Sequence, residues 1–257
     1  MHYFMTLFDN QNIGLFENNG ANYATYRPVY PQELATALSQ LCQNHQTALD
    51  VGCGTGQLTY LLSKHFVSVI GTDTSRSQLE FAQTAENIRY LHESAEDTRL
   101  ENDSVDLVVV AQAAHWFNLD SFYQEVKRIA VQDAVIALIS YGVPYIEASV
   151  NSVFQQGYWQ QIHQYWPDER KHVENGYIEL PFPFQEIDFP ETFIHKEMNL
   201  DEFIGYIRTW SAYKKAQERQ EVTAFTLFFE QLERSWGNRA KTHKVSWPIS
   251  VRAGKIA

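Results

Sequence analysis

The chain has 257 residues, 44% hydrophobic and 14% aromatic, enough to bury a sizeable core and to exclude wholesale disorder. Its formal charge of −11 argues against general binding to DNA, RNA or an anionic membrane, because attraction to phosphate comes from Lys and Arg. Its two cysteines, Cys42 and Cys53, exclude a disulfide framework and a CxxC site, which suits a reducing cytoplasmic setting.

Met1-His2-Tyr3-Phe4-Met5 lacks a basic stretch followed by an apolar one, so no signal peptide is expected, and no run reaches the ~18 apolar residues of a membrane span. Residues 1–30 show little periodicity but end on the aromatic stretch YATYRPVYP, Tyr23–Pro31. Pro31 suits the first turn of a helix whose Leu34, Leu38 and Leu41 share a face. An alternation follows. Strands are expected at Thr47–Val51, Val67–Thr72, Arg89–Leu91, Val105–Ala111 and Val135–Tyr141. Helices are expected around Leu58–Leu62, Leu79–Ala82 and Phe122–Ile129. This order implies βαβ crossovers and a parallel sheet with helices on both faces. It breaks at Gly142-Val143-Pro144. Helical sequence over Tyr145–Trp166 and the Pro-rich Leu180–Phe184 then read as an insertion spanning residues 145–192. A strand at Phe193–Met198, helices at Asp201–Ala212 and Glu221–Trp236, and a strand at Lys244–Ala253 complete the sheet, with Pro248 marking an edge or bulge.

Asp50-Val51-Gly52-Cys53-Gly54-Thr55-Gly56 sits between a strand and a helix and holds three of the chain's 12 glycines in five positions. Glycines there let backbone turn sharply and approach a ligand. The spacing is GxGxG, with Gln57 where a dinucleotide fingerprint has Gly or Ala, and no GK[ST] follows. The loop is therefore suited to a small cofactor without a pyrophosphate. Asp73 ends the second strand, where an acid can accept both hydroxyls of a ribose; that feature alone fits NAD or S-adenosylmethionine.

Ala48–Leu58 (ALDVGCGTGQL) resembles motif I of the class I S-adenosylmethionine-dependent methyltransferases, and Val69–Ser75 (VIGTDTS) resembles their second motif. Ser94-Ala95-Glu96 is similar to the adenine-contacting turn after strand three, and Val105–Gln112 to the fourth strand. YATYRPVYP, YIRTWSAY (Tyr206–Tyr213) and VSWPI (Val245–Ile249) resemble the trans-aconitate methyltransferase-like small-molecule branch. The resemblance implies a Rossmann-like α/β fold with a seven-stranded, mostly parallel sheet, its last strand antiparallel, and a helical cap insertion. One domain would comprise a lid (1–30), a cofactor-binding core (31–144), the cap (145–192) and the sheet's completion (193–257). The resemblance further implies that Gly52, Cys53, Gly54 and Gly56 pack under the methionine part of S-adenosylmethionine, with Asp50 near its ammonium. Asp73 and Thr74 would take the ribose, and Ser94, Ala95 and Glu96 the adenine. Ser94 stands where the family usually has Asp. Gln112 would face the sulfonium, with Tyr23 and Arg27 closing over the cofactor.

Methyl transfer requires alignment and exclusion of water, and positioning alone supplies effective molarities on the order of 10⁵ M or more. A general base is needed only for a protonated acceptor. His115, just past strand four, is the candidate base, or a donor orienting the acceptor. Trp116, Trp210 and Tyr213 are candidate acceptor walls, and Arg27, Arg170, Arg208 and Lys214 candidate carboxylate clamps. The segment after strand four lacks the Asn/Asp-Pro-Pro-aromatic motif of enzymes that methylate exocyclic base amines or glutamine amide.

The nine histidines form no HxxxH, HxH or Cys/His cluster, so no metal is expected. Tyr60–Lys64 matches YxxxK in the helix after the Gly-rich loop, where it cannot face a substrate, and Cys53 reads as a small filler. The expected activity is methyl transfer from S-adenosylmethionine to a small molecule, for instance to a carboxylate oxygen, by a monomer or homodimer that engages neither nucleic acid nor membrane. The alternatives are C- or N-methylation of a small metabolite, a silent cofactor-binding module, and an NAD-linked oxidoreductase. Residues 208–257 hold ten basic and four acidic side chains, so the whole-chain charge does not argue against an anionic acceptor.

Overall fold

The computed structural model describes residues 26–147 and 149–256. The first half follows the expected alternation. It runs through α1 (Gln32–Gln40), β1 (Thr47–Val51), α2 (Gln57–Leu62), β2 (Ser68–Asp73), α3 (Arg76–Glu80), β3 (Ile88–His92), β4 (Val105–Ala111), α4 (Leu119–Ile129) and β5 (Ala130–Tyr141). The second half comprises β6 (Tyr145–Ile146), α5 (Val150–Gly157), α6 (Arg170–Glu174), β7 (Gln185–Ile187), β8 (Thr192–Met198), α7 (Leu200–Arg208), α8 (Ser211–Glu218), α9 (Thr223–Trp236) and β9 (His243–Lys255).

The nine strands among the described residues form one sheet, along the path β3-β2-β1-β4-β5-β9-β6 with β7 and β8 also on β9. β1 to β5 pair in parallel, and β9 runs antiparallel to β5 and to β8. The count exceeds the expected seven because two strands are interrupted. β6 continues past Gly142–Pro144 on the side of β9 that β5 occupies, and β7 precedes β8 across the break at 188–191. Residues of β4 from Val105 to Val110 are all buried. Leu107 and Val109 face the core under α1 and α2, while Val105, Val108 and Val110 face the core under α4, as a strand covered on both faces requires. The chain leaves β1 toward β2 and β3, then returns to β4 on the other side of β1. That reversal opens a crevice at the carboxyl ends of β1 and β4, where ligands bind in open α/β sheets.

Two helices depart from the sequence reading. The expected Asp201–Ala212 helix is two. Asn199 and Glu202 form a reciprocal capping box that starts α7 at Leu200, and Trp210 is extended (φ −69°, ψ 142°) between α7 and α8. Its indole turns into a nest of Tyr158, Trp166 and Tyr206, each with its ring centroid within 5.6 Å. The expected Tyr145–Trp166 helix begins only at Val150 and passes through a π turn (Tyr158–Ile162) into a 3-10 turn (His163–Tyr165). At the α/π junction Phe228 lies so close that a Cβ on Gly157 would stand 2.4 Å from its ring. Among the described residues, no helix is long and apolar enough to cross a membrane.

Candidate active site

The crevice at the β1/β4 switch point is a cavity of about 1040 Å³. The loop after β1 forms its floor, with Gly52, Gly54 and Gly56 all left-handed, at φ +68°, +56° and +73°. A side chain at Gly52 would meet Ala113, its Cβ 2.7 Å from that of Ala113. A side chain at Gly56 would meet Tyr90, whose hydroxyl, bonded to the Gln83 carbonyl at 2.6 Å, lies beneath the loop. The Gly52 and Cys53 amides donate to the Thr72 carbonyl at 2.8 and 3.0 Å, tying the loop to the end of β2. Cys53 lines the cavity, but burial followed by the charges of Asp50 and Asp73 pushes its thiol pKa far up, so it stays a neutral filler.

Asp73 is fixed from two sides. Its Oδ2 accepts the Gly54 N–H and its Oδ1 the Ser75 N–H, both at 2.8 Å. The carboxylate is thus oriented before any ligand arrives, with lone pairs left for ribose hydroxyls. Thr74 lies beside it on the wall. Asp50, 1% exposed, accepts the Thr59 hydroxyl at 2.6 Å on Oδ2, while its Oδ1 has no hydrogen-bond partner among the described residues. Burial raises its pKa from 3.8 to about 7. A buried, cavity-lining carboxylate oxygen without a hydrogen-bond partner among the described residues is what an amino acid's ammonium needs, so the residues present fit S-adenosylmethionine: Asp50 for the ammonium, Asp73 for the ribose, and Gly52 and Gly54 for close backbone approach, Gly56 lying outside the cavity lining.

A pH dependence follows. An ammonium seated at Asp50 would pair with its ionised form, so cofactor affinity should rise between pH 5.5 and 7.5, by up to about tenfold per unit below the titration. The sign for stability is opposite. Because the folded value lies above 3.8, the protonated carboxyl favours folding; this contribution is complete below about pH 4 and is lost as pH rises through about 7. Asp50→Asn should therefore stabilise the ligand-free protein at pH 8 and remove the pH dependence of binding; paired thermal melts and titrations at pH 6 and 8 check both signs.

At the adenine end, Ala95 lines the cavity, but Ser94 and Glu96 do not. Glu96 accepts the Asn118 N–H at 3.0 Å, closing the turn before α4. Sequence reading missed Glu93, which lines the cavity with a side chain bonded to Arg99 at 2.5 Å. Gln112 follows β4 with a left-handed backbone (φ +62°) and donates through Nε2 to the Tyr141 carbonyl at 2.9 Å, its amide oxygen having no hydrogen bond among the described residues. Arg27 lines the opposite rim, donating to the Thr209 carbonyl at 3.1 Å, with Lys214 near enough for its pKa to be lowered by burial and then by Arg27. Tyr23 and most of the proposed lid lie outside the described residues.

His115 and Trp116 stand on the wall beyond Gln112, as expected. Trp210, Tyr213, Arg170, Arg208 and Lys214 do not line it. Trp210 is 2% exposed inside its aromatic nest, and Tyr213 packs on Phe225 at 5.1 Å; both bury ring surface in the core. Arg170 stacks on Trp166 at 4.3 Å and bonds Glu174 at 3.3 Å, while its neighbour Glu169 lines the cavity instead. Burial, then the charges of Arg170 and His172, holds His115 far below the usual imidazole range, to about 3. His115 is therefore neutral at physiological pH and a poor proton acceptor, which disfavours the base role and leaves the donor role.

The profile of the methyltransferase domain family matches residues 49–138, from β1 to β5. A candidate methyltransferase of Dictyostelium discoideum is 35% identical over 212 residues, covering 81% of this chain and 79% of that one. A Saccharomyces cerevisiae protein named as an S-adenosylmethionine-dependent methyltransferase is 34% identical over 133 residues, 48% of this chain and 46% of its own. The solved structure of a candidate type II methyltransferase from Anaeromyxobacter dehalogenans superposes with a TM-score of 0.85 at 37% identity, over 90% of this chain and 98% of that one. Family and cavity agree on the cofactor and set aside the NAD-linked alternative: this chain belongs to the class I S-adenosylmethionine-dependent methyltransferases.

Proposed function

We propose that the acceptor is a small molecule methylated on a carboxylate oxygen, by a monomer or homodimer that engages neither nucleic acid nor membrane. The observation that carries this reading is the neutral imidazole of His115 on the acceptor wall. When bound, the cofactor supplies an electrophilic methyl on a sulfonium, whose charge is neutralised as an acceptor oxygen attacks in line. A carboxylate has no proton to lose and a second oxygen free to accept a hydrogen bond from the wall. Arg27, which lines the cavity, supplies positive charge there, with Lys214 near Arg27 but outside the lining. The resemblance of the tail to the trans-aconitate methyltransferase-like branch supports the same choice. Trp116, Phe117 and Tyr141 give the wall its apolar surface.

A second reading, N-methylation, is favoured by one observation. Glu169 also lines the cavity, and a carboxylate there suits a cationic amine and can take its proton. A panel of small carboxylic acids and amines, incubated with the cofactor and read by mass spectrometry, separates the two. The expected product gains one methylene and returns to the parent acid on alkaline hydrolysis. Methylation confined to amines, and abolished by Glu169→Gln, overturns the carboxylate reading.

A further inference from the structure

Tyr177 is a residue that the sequence reading did not mark. It is fully buried, yet it holds a left-handed backbone at φ +65°, directly after the left-handed Gly176. For a bulky aromatic residue that conformation costs on the order of 1–3 kcal/mol and persists only where the surroundings impose it. Three contacts do so. The Tyr177 N–H donates to the His172 carbonyl at 2.8 Å, and Arg252 donates to the Tyr177 and Leu180 carbonyls at 3.1 and 2.7 Å. A Cβ on Gly176 would stand 2.8 Å from Ser250, so the turn is pressed against β9.

This strained turn carries the phenol to His115. The Tyr177 hydroxyl lies 3.1 Å from His115 Nδ1, the rings stack with centroids 5.9 Å apart, and the Ala114 N–H approaches the same phenolic oxygen. The direction of the hydrogen bond follows from satisfaction of buried groups. The phenol has one proton to place, Nδ1 is its acceptor among the described residues, and an N–H already addresses the oxygen. Tyr177 therefore donates, Nδ1 accepts, and the imidazole proton resides on Nε2, which has no protein hydrogen bond among the described residues.

We propose that Tyr177 is a positioning residue: its hydroxyl locks His115 in the tautomer that presents an Nε2–H donor to the methyl acceptor. This rests on the acceptor reading above, in which His115 orients a carboxylate. It adds a specificity rule, because the wall then favours acceptors that carry a free lone pair next to the attacking atom and disfavours acceptors that bring only donors there.

Long-range nitrogen–proton correlation NMR on the ¹⁵N-labelled protein tests the lock without turnover, with His115 assigned by the loss of its signals in His115→Gln. The expected result is a single Nε2–H tautomer for His115 and a mixture or reversal in Tyr177→Phe. A wild-type Nδ1–H tautomer, or a Tyr177→Phe spectrum identical to wild type, overturns the proposal. These outcomes hold even if no carboxylic acid proves to be a substrate, so failure of the acceptor reading and failure of the lock are distinguishable. With a working acceptor, Tyr177→Phe should lower kcat about tenfold at unchanged cofactor affinity, the size of one hydrogen bond. His115→Gln, whose side-chain amide can still donate, should retain more activity than His115→Ala. Unaltered kcat in Tyr177→Phe, or equal loss in both His115 variants, would also contradict the proposal.

Discussion

Asp73→Ala should weaken binding of S-adenosylhomocysteine, the demethylated cofactor, by a hundredfold or more in a calorimetric titration. Two effects add. The ligand loses two hydrogen bonds from ribose hydroxyls to a charged acceptor, each worth about 1.5–3 kcal/mol, and every ~1.4 kcal/mol is tenfold in affinity. The protein also loses the group that joins its two ligand-facing loops, because the Gly54 and Ser75 amides both bond this carboxylate. Asp73→Asn separates the contributions. One amide oxygen can still take one backbone N–H, but the NH2 group cannot take the other and the charge is gone, so an intermediate loss is expected. Affinity within threefold of wild type in Asp73→Ala would remove the ribose from this position.

Gly52→Ala should lower the melting temperature by at least several degrees and weaken cofactor binding at the same time. The left-handed backbone at φ +68° costs an L-residue about 1–2 kcal/mol, and the new methyl would stand 2.7 Å from Ala113 Cβ. In a domain of this size ~1 kcal/mol corresponds to about 2–4 °C. Relief of the clash requires the loop after β1 to part from the segment carrying Gln112 and His115, so the damage reaches both ligand-facing elements. Ala113→Gly removes the steric component but not the backbone one. The double variant should therefore recover part of the lost stability, and a double variant no better than Gly52→Ala would show that backbone strain alone accounts for the effect.

The cofactor half of the site was legible because its parts are local. A Gly-rich turn after a buried strand, an acid at the end of the next strand and a parallel alternation are all written within short windows; Asp50, Gly52, Gly54 and Asp73 line the cavity, while Gly56 shares the left-handed turn without lining it. Of the acceptor candidates, His115 and Trp116, which directly follow a strand of the switch point, and Arg27 line the cavity. Trp210 and Tyr213 show the limit: an aromatic side chain in a helical stretch looks the same whether it faces a pocket or a core, and only packing against Tyr158 and Phe225 decides. Arg170 and Glu169 are adjacent, and which of them lines the cavity depends on the turn into α6 rather than on residue type. Tyr177 lies 62 residues from its partner His115 and carries no motif. The split of α7 and α8 had a readable signal in the Asn199/Glu202 capping box for its start, and none for the extended Trp210 between them.

In the proposed complex S-adenosylmethionine would lie in the cavity between β1 and β4, with its ammonium on Asp50, its ribose on Asp73 and its sulfur toward the His115 wall. A crystal structure of the complex with S-adenosylhomocysteine tests this most directly. The expected density places the amine within hydrogen-bond distance of Asp50 Oδ1, both ribose hydroxyls on the Asp73 carboxylate and the sulfur facing Gln112 and His115. Ligand bound elsewhere, or bound here with Asp50 and Asp73 making no contact to it, would contradict the assignment.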